Sequence, residues 1–269
     1  MTYQAKIIAD SIAPNGKRLT TMEITFPRII LAEFNTHRQF SRNSASSRAI
    51  PVEKQIEKVK NDPFIPIYWG KNQKGMQADV ELTEQEQATA VRHWLIARDE
   101  AVCRAKDLIK IGVHKQITNR LLEPFLWHTA IVTATEWSNF FAQRCHPDAQ
   151  PEIRKIAEMM QELYCAEQPT PVKEHSWHLP YIQPDENSLD ISARIRISVA
   201  RCARVSYLAQ DGKRDTAKDL ELYDRLCEGM HFSPFEHVAQ AMGEYEEFVI
   251  SGNFVGWRQY RKTLKGECR

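Results

Sequence analysis

The chain has 269 residues, enough for one large domain or two small ones with an ample core. Its 36 basic and 35 acidic residues nearly cancel, so the whole molecule is not an electrostatic partner for a nucleic acid polymer, and phosphate recognition must come from a local cluster. The six cysteines are scattered with no C-x-x-C pair, which argues against a zinc ribbon or thioredoxin-like motif. With no basic-then-apolar leader at Met1–Lys6 and no membrane-length apolar run, the expectation is a cytoplasmic protein with no membrane partner.

In chain order, Lys6–Ala9 and Thr21–Phe26 read as two strands, joined through the turn signal Pro14-Asn15-Gly16-Lys17. Pro27 punctuates, and Arg28 to Phe34 reads as a short helix. Pro63 to Gly75 carries Pro, Gly and aromatic residues and is expected to be an ordered loop. Thr83-Glu84-Gln85-Glu86 is a capping-box pattern that opens a long helix. Its apolar positions are Ala90, Val91, Trp94, Leu95, Ala97, Val102, Ala105 and Leu108, and Gly112 is its stop. Thr129 to Thr135 is β-branched and apolar and predicts a buried strand. Helices follow over Trp137–Arg144 and Glu152–Cys165, then a Pro-, His- and aromatic-rich stretch, Pro169–Asp185, read as an excursion or internal boundary. Ser192–Tyr207 and Asp215–Gly229 are expected to be helices, the second with Leu220, Leu222, Leu226 and Met230 as apolar positions. Helices dominate without βαβ alternation, which argues against a doubly wound parallel sheet.

Between the short helix and Ile50-Pro51 lies Thr36-His37-Arg38-Gln39-Phe40-Ser41-Arg42-Asn43-Ser44-Ala45-Ser46-Ser47-Arg48. Guanidinium forks match phosphate oxygens two at a time, and hydroxyls with free backbone N–H groups complete an anion cradle. The run therefore reads as a binding loop for a phosphorylated ligand; an Arg- and Ser-rich surface loop is the plainer alternative. Arg38, Arg48, Arg120 and Arg144 would form a phosphate and ring pocket if the fold brings them together. His175-Ser176-Trp177-His178 and Cys145-His146 lack a second ligand pair at metal spacing, so no metal site is expected. A Cys145 nucleophile beside Arg144 competes with simple packing of that thiol.

The loop resembles the R-H-R and Asn-Glu-x-Ser-x-Arg signature of the flavin-dependent thymidylate synthase family. Three further blocks are similar to that family's: Phe140–Arg144 running on to Ala149–Arg154, Ala203-Arg204-Val205-Ser206-Tyr207, and His231-Phe232-Ser233-Pro234-Phe235-Glu236-His237. In the family the last two blocks precede the loop, whereas here they follow it, and circular permutation is the simplest account. The resemblance implies a helix-rich α+β fold with a small, mainly antiparallel sheet, one domain over residues 1–269 with an excursion at 166–190, and a homotetramer. It implies transfer and reduction of a one-carbon unit to C5 of dUMP, giving dTMP, with FAD as cofactor and NADPH and methylenetetrahydrofolate as co-substrates.

Carried over by position, His37, Arg38, Asn139, Ser206 and Ser233 would contact the flavin. Ser46, Arg48 and Arg120 would hold the nucleotide, and Arg144 would sit at the pyrimidine ring and activate it. No cysteine nucleophile is needed in that chemistry. Three positions depart from the pattern: Thr36 for the first Arg, Ser44 for the Glu, and Thr133-Ala134-Thr135 for Asn-Ala-Arg. They motivate two alternatives, C5 methylation or hydroxymethylation of another pyrimidine nucleotide such as dCMP, and a nucleotide- or flavin-binding protein without turnover. The segment Asn253–Arg261 has no family counterpart; its Trp257, Arg258 and Tyr260 suit flavin or nucleotide packing, and a capping helix is the other reading.

Overall fold

The computed structural model describes residues 2–205 and 214–267. Strand β1 (Gln4–Ile12) turns back into β2 (Arg18–Pro27). Gly16 makes that turn at φ 80°, while the Asn15 side chain accepts from the Lys17 amide at 3.0 Å. A 3-10 turn at Arg28–Ile30 runs into the one-turn helix α1 (Leu31–Phe34), so the short helix expected there is present in two pieces. The second half of the polar loop is a strand, β3 (Ser41–Ser44).

Helices α2 (Val52–Asn61) and α3 (Glu84–Lys110) follow. Thr83 and Glu86 form the expected capping box, and Gly112 leaves the helix end at φ 82°. Of the apolar positions expected on α3, only Val102 and Ala105 are fully buried, because one side of this helix packs on α2 and the 3-10 segment Asn119–Phe125 while the rest faces solvent. The chain continues through α4 (Lys115–Thr118), β4 (Trp127–Ala134), α5 (Ser138–Arg144) and α6 (Pro151–Ala166). The Pro169–Asp185 stretch supplies two short strands, β5 (Thr170–Pro171) and β6 (Trp177–His178). Then come α7 (Ile191–Arg204), α8 (Thr216–Glu228), a 3-10 turn at Ser233–His237, and strands β7 (Ala239–Ala241), β8 (Ile250–Ser251), β9 (Phe254–Val255) and β10 (Trp257–Gln259). Met230, expected on the apolar face of α8, lies beyond its Gly229 cap at φ 51° and is 75% exposed.

The main sheet has five strands in the order β3-β4-β2-β1-β5, antiparallel except for the β1–β5 pair. A second sheet is ordered β10-β7-β6, and β8 pairs with β9. The side-chain period of two separates the main sheet's faces. Met22, Ile24 and Phe26 of β2, with Ala130, Val132 and Ala134 of β4, point one way and bury against Phe140 and Phe141 of α5 and Ile153, Ile156 and Met160 of α6. Ile131 points the other way, onto Cys202 of α7 and Tyr181. The fold is α+β, with a small, mainly antiparallel sheet, as the resemblance implies.

The second face carries a polar row. Thr21 and Ser41 both stand opposite Thr133 across their strand pairs. Thr133 Oγ1 lies 2.8 Å from Thr21 Oγ1 and 2.8 Å from His237 Nδ1. Thr21 Oγ1 in turn lies 2.8 Å from His178 Nε2, whose Nδ1 is 2.9 Å from Ser11 Oγ. Five buried polar side chains thus hydrogen-bond in a single line through the core, with His237 Nε2 left without a partner at its end. Burial holds both imidazoles neutral, with pKa values lowered to about 3.

α7 and α8 are tied by charge. Arg201 donates to both oxygens of Glu186 at 2.7 and 2.6 Å and to Asp219 at 2.9 Å, and Arg204 takes the other Asp219 oxygen at 2.8 Å. Among the described residues no helix is long and apolar enough to cross a membrane, and no group of His, Cys, Asp and Glu is arranged to hold a metal ion.

Candidate functional site

A cavity of about 490 Å³ opens where the polar loop meets the β4–α5 connection. Thr36, His37, Arg38, Gln39 and Phe40 form one wall; Glu136, Ser138, Asn139, Phe140 and Gln143 form the other. The volume lies within the range of about 300–1,000 Å³ usual for small-molecule sites. The loop stays in place because Phe34, Phe40 and Phe140 pack on one another at ring distances of 5.1–5.8 Å, so the apolar members of the two walls belong to the core.

His37 is buried, with its ring edge-on to Phe140 at 4.9 Å. Its Nε2 accepts from Arg144 Nε at 2.8 Å. A guanidinium only donates, so the imidazole carries its proton on Nδ1. Burial first, then the positive charges of Arg144 and Arg42, lower the His37 pKa to about 4. Arg144 also donates to Thr36 Oγ1 at 3.2 Å, and its Nη1 has no partner among the described residues. Arg42 donates to the His37 carbonyl at 3.1 Å and closes the loop from within. The fork of Arg38 has no partner among the described residues, and neither has the Nδ2 group of Asn139, whose Oδ1 accepts from Gln143 at 3.2 Å. The cavity therefore presents a free guanidinium and a free amide donor beside an aromatic wall.

Three of the residues named from sequence, His37, Arg38 and Asn139, line this one cavity, and Arg144 is fastened to its wall. Ser233 lies on the other face of the sheet, donating to Asn43 Oδ1 at 3.4 Å. Asn43 also donates to the Cys202 carbonyl at 2.9 Å, which ties the Ser233–His237 turn and α7 to β3. Ser206 is outside the described residues.

Arg120 lines a second cavity of about 510 Å³ with Arg28, Asn35, Glu123 and the apolar Ile29, Leu31, Ala32 and Pro124. There Glu123 Oε1 accepts from Arg120 at 2.9 Å, Arg28 at 3.0 Å and Ser47 at 2.8 Å. The Ser46–Arg48 turn is joined to the same segment through Asn119, which donates to the Ser47 carbonyl at 2.6 Å. Arg48 is exposed and lines neither cavity. The four arginines thus divide within one chain: Arg38 and Arg144 at the first cavity, Arg120 at the second, Arg48 on the surface beside the second's supporting turn.

Two of the three departures have structural partners. Thr36 accepts from Arg144, where an Arg would set two guanidinium groups against each other. Thr133 completes the polar row, and Thr135 Oγ1 accepts from the Val255 amide at 3.2 Å. The Asn253–Arg261 segment is neither a capping helix nor a stacking platform. Trp257 is fully buried, with Nε1 donating to the Lys17 carbonyl at 2.9 Å, and Tyr260 pairs its hydroxyl with that of Tyr223 at 2.8 Å. The residues of this segment that reach the loop are Asn253 and Gln259, which sequence reasoning passed over. The Gly252-Asn253 dipeptide between two short apolar runs was the available hairpin signal.

No curated protein matches the chain. The solved structure of the UMP/dUMP methylase PolB from Streptomyces cacaoi bound with 5-Br UMP is similar in fold, with a TM-score of 0.50 at 14% identity, over 61% of this chain and 89% of that one. Its form bound with 5-Br dUMP is similar with a TM-score of 0.51 at 15% identity, over 61% and 90%. Residues 19–170, from β2 to β5 and including the polar loop and the first cavity, match the sequence model of the thymidylate synthase complementing protein family; this is more than half of the chain, and the protein belongs to that family.

Proposed function

We propose that this protein methylates C5 of a pyrimidine nucleoside monophosphate, with dUMP as substrate and dTMP as product. The observation that carries the reading is the convergence of His37, Arg38 and Asn139, from two separate segments of the family-matched region, on one cavity beside Arg144. Similarity of fold to a UMP/dUMP methylase supports the substrate class. A one-carbon unit from methylenetetrahydrofolate needs two electrons to become a methyl group. FAD held at the first cavity would supply them when bound, with NADPH as the source of the electrons.

The wall residues fit a flavin. The unpaired Arg38 fork suits phosphate oxygens, while Asn139 Nδ2, Gln39 and Gln143 offer the amide contacts that a heteroaromatic edge requires. His37 is neutral with Nδ1–H available, and Arg144 holds it in that tautomer. The free Nη1 of Arg144 stabilises negative charge developing on the pyrimidine ring, which makes C5 nucleophilic. Ser46 and Arg48 hold the nucleotide and Arg120 its phosphate; for this Arg120 must exchange its bond to Glu123 for the ligand. Their separation from the first cavity within one chain supports a homotetramer whose sites join loops of different subunits. The seating of the Ser233–His237 turn against β3 and β4 supports a permuted order of otherwise shared parts.

The test is the visible spectrum of purified protein with FAD, before and after dUMP, followed by tritium release from 5-labelled dUMP and 5-labelled dCMP with all co-substrates. A flavin spectrum perturbed by dUMP, with release from dUMP, is expected. Release from dCMP alone would move the assignment to another pyrimidine. Ligand binding without release would favour a binding protein, and no flavin binding at all would refute the reading. Arg48→Ala should weaken nucleotide binding by about tenfold, from loss of one charge-assisted contact.

A further inference from the structure

The C-terminal hairpin bonds Gln39 of one wall of the first cavity and Thr135, the residue before the other wall, although it lies outside the family-matched residues. β8 and β9 are joined by two residues, Gly252 and Asn253, with Ser251 opposite Phe254. Gly252 takes φ 65°, the pattern of a type II′ turn, which puts Asn253 at the hairpin's tip. Asn253 Nδ2 donates to the Gln39 carbonyl at 2.9 Å, and its Oδ1 accepts from Ser41 Oγ at 3.0 Å. One amide thus bridges the residues on either side of Phe40, in the loop wall. Gln259, itself 2% exposed, backs this joint by donating to Asn253 Oδ1 at 2.9 Å and to Ser41 Oγ at 3.1 Å. Two residues past the tip, the Val255 amide donates to Thr135 Oγ1, next to Glu136 of the opposite wall.

We infer that the Gly252–Val255 hairpin tip is a staple across the cavity, and that Asn253 is its positioning residue, setting the distance between the His37–Phe40 wall and the α5 wall. The hairpin reaches the site through backbone and hydroxyl groups behind the lining and does not contact a ligand. The loop needs this external hold because its polar half, Thr36, Arg38 and Gln39, is exposed, and only Phe40 and His37 are anchored in the core. Gly252 has no substitute: a Cβ there would stand 2.4 Å from Gln259 Oε1, and the Gln259 amide is pinned by Ser41 and Asn253 and cannot swing aside. One departure from the family pattern gains a reason from the same hairpin: Thr135 is an acceptor for Val255 where a long Arg would push the hairpin off.

The part of this inference that concerns ligand binding rests on the flavin reading of the cavity, and the experiment separates the two. Hydrogen exchange of peptides covering residues 36–43 is measured in the wild type, Asn253→Ala, Gly252→Ala and Ser41→Ala, with β1–β2 peptides as internal reference. FAD affinity and melting temperature are measured on the same samples. The staple predicts about tenfold faster exchange in the loop with the β1–β2 peptides unchanged, and a FAD dissociation constant raised by about tenfold, equal to about 1.4 kcal/mol. It also predicts that Asn253→Ala and Ser41→Ala are not additive, since each breaks the same joint. Asn253→Asp keeps the acceptor for Ser41 and Gln259 but loses the donor to Gln39, so it should fall between wild type and Asn253→Ala; it also serves if the alanine variant does not fold. Unchanged loop exchange overturns the staple whatever the flavin does. Faster exchange with unchanged affinity overturns its positioning role, as does a uniform rise over all peptides. A wild type that binds no FAD overturns the flavin reading, and the positioning role with it.

Discussion

Acid should begin to destabilise this protein below about pH 6.5, before its carboxylates start to protonate. His128, His178 and His237 are all at most 2% exposed. Burial, aided by Arg28 at His128 and by His178 at His237, lowers each pKa to about 3. In the unfolded chain an imidazole titrates near pH ~6.5. Between those values the unfolded state takes up protons that the folded state refuses. The stabilisation is therefore fully present above about pH 6.5 and is lost as the pH falls from there towards about 3. Each group contributes a slope of about 1.4 kcal/mol per pH unit, and the three together about 4 kcal/mol per unit. Against a total stability of about 5–15 kcal/mol, the margin is exhausted between about pH 5 and pH 3. The polar row sharpens the effect: His178 and His237 have hydroxyl partners on Thr21 and Thr133, so a proton on either ring reverses the bonds along the line. Urea denaturation followed by tryptophan fluorescence at pH 7.5, 6.5, 5.5 and 5.0 would show it. A free energy of unfolding that stays level between pH 7 and 5 would refute the argument.

Thr133→Val keeps the volume but strips His237 Nδ1 and Thr21 of a partner at once, so it should cost about 2–4 kcal/mol, read as a lower urea midpoint at unchanged m; a shift under about 0.5 kcal/mol would mean the row is not formed. Arg201→Leu leaves Glu186 buried without its counter-charge and Asp219 with Arg204 alone, and should cost about 3–5 kcal/mol. Arg144→Ala removes the second-largest cause of the low His37 pKa, so an NMR titration should find His37 above about 4 yet short of the ordinary histidine value, since burial and Arg42 remain; an unmoved titration would show that the two side chains do not meet. The same variant should lose turnover under the proposed function, and wild-type rates would remove Arg144 from ring activation.

Much of this protein was legible along the chain because its signals are local. The turn at Pro14–Lys17, the capping box at Thr83 and the β-branched run of β4 each depend on backbone preferences within a few residues. The polar loop could be read as a candidate binding element because so many donors without apolar spacing have no structural use in a core, and its Thr36–Phe40 part lines the first cavity. What stayed hidden depends on pairs far apart in sequence. The His37–Arg144 bond spans 107 residues, the His178–Thr21 bond 157 and the Asn253–Gln39 bond 214. No local pattern marks them, since Asn253, Gln259 and Thr133 are ordinary turn and strand residues until the sheet sets their neighbours. Trp257 shows the converse: aromatic character alone suited ligand stacking, and only the packing of β10 on β7 placed it in the core. Composition and local spacing determine which groups can bind an anion or cap a helix; the tertiary fold decides which of them face a common cavity, because strand register and sheet-face alternation, not sequence distance, choose the partners of each side chain.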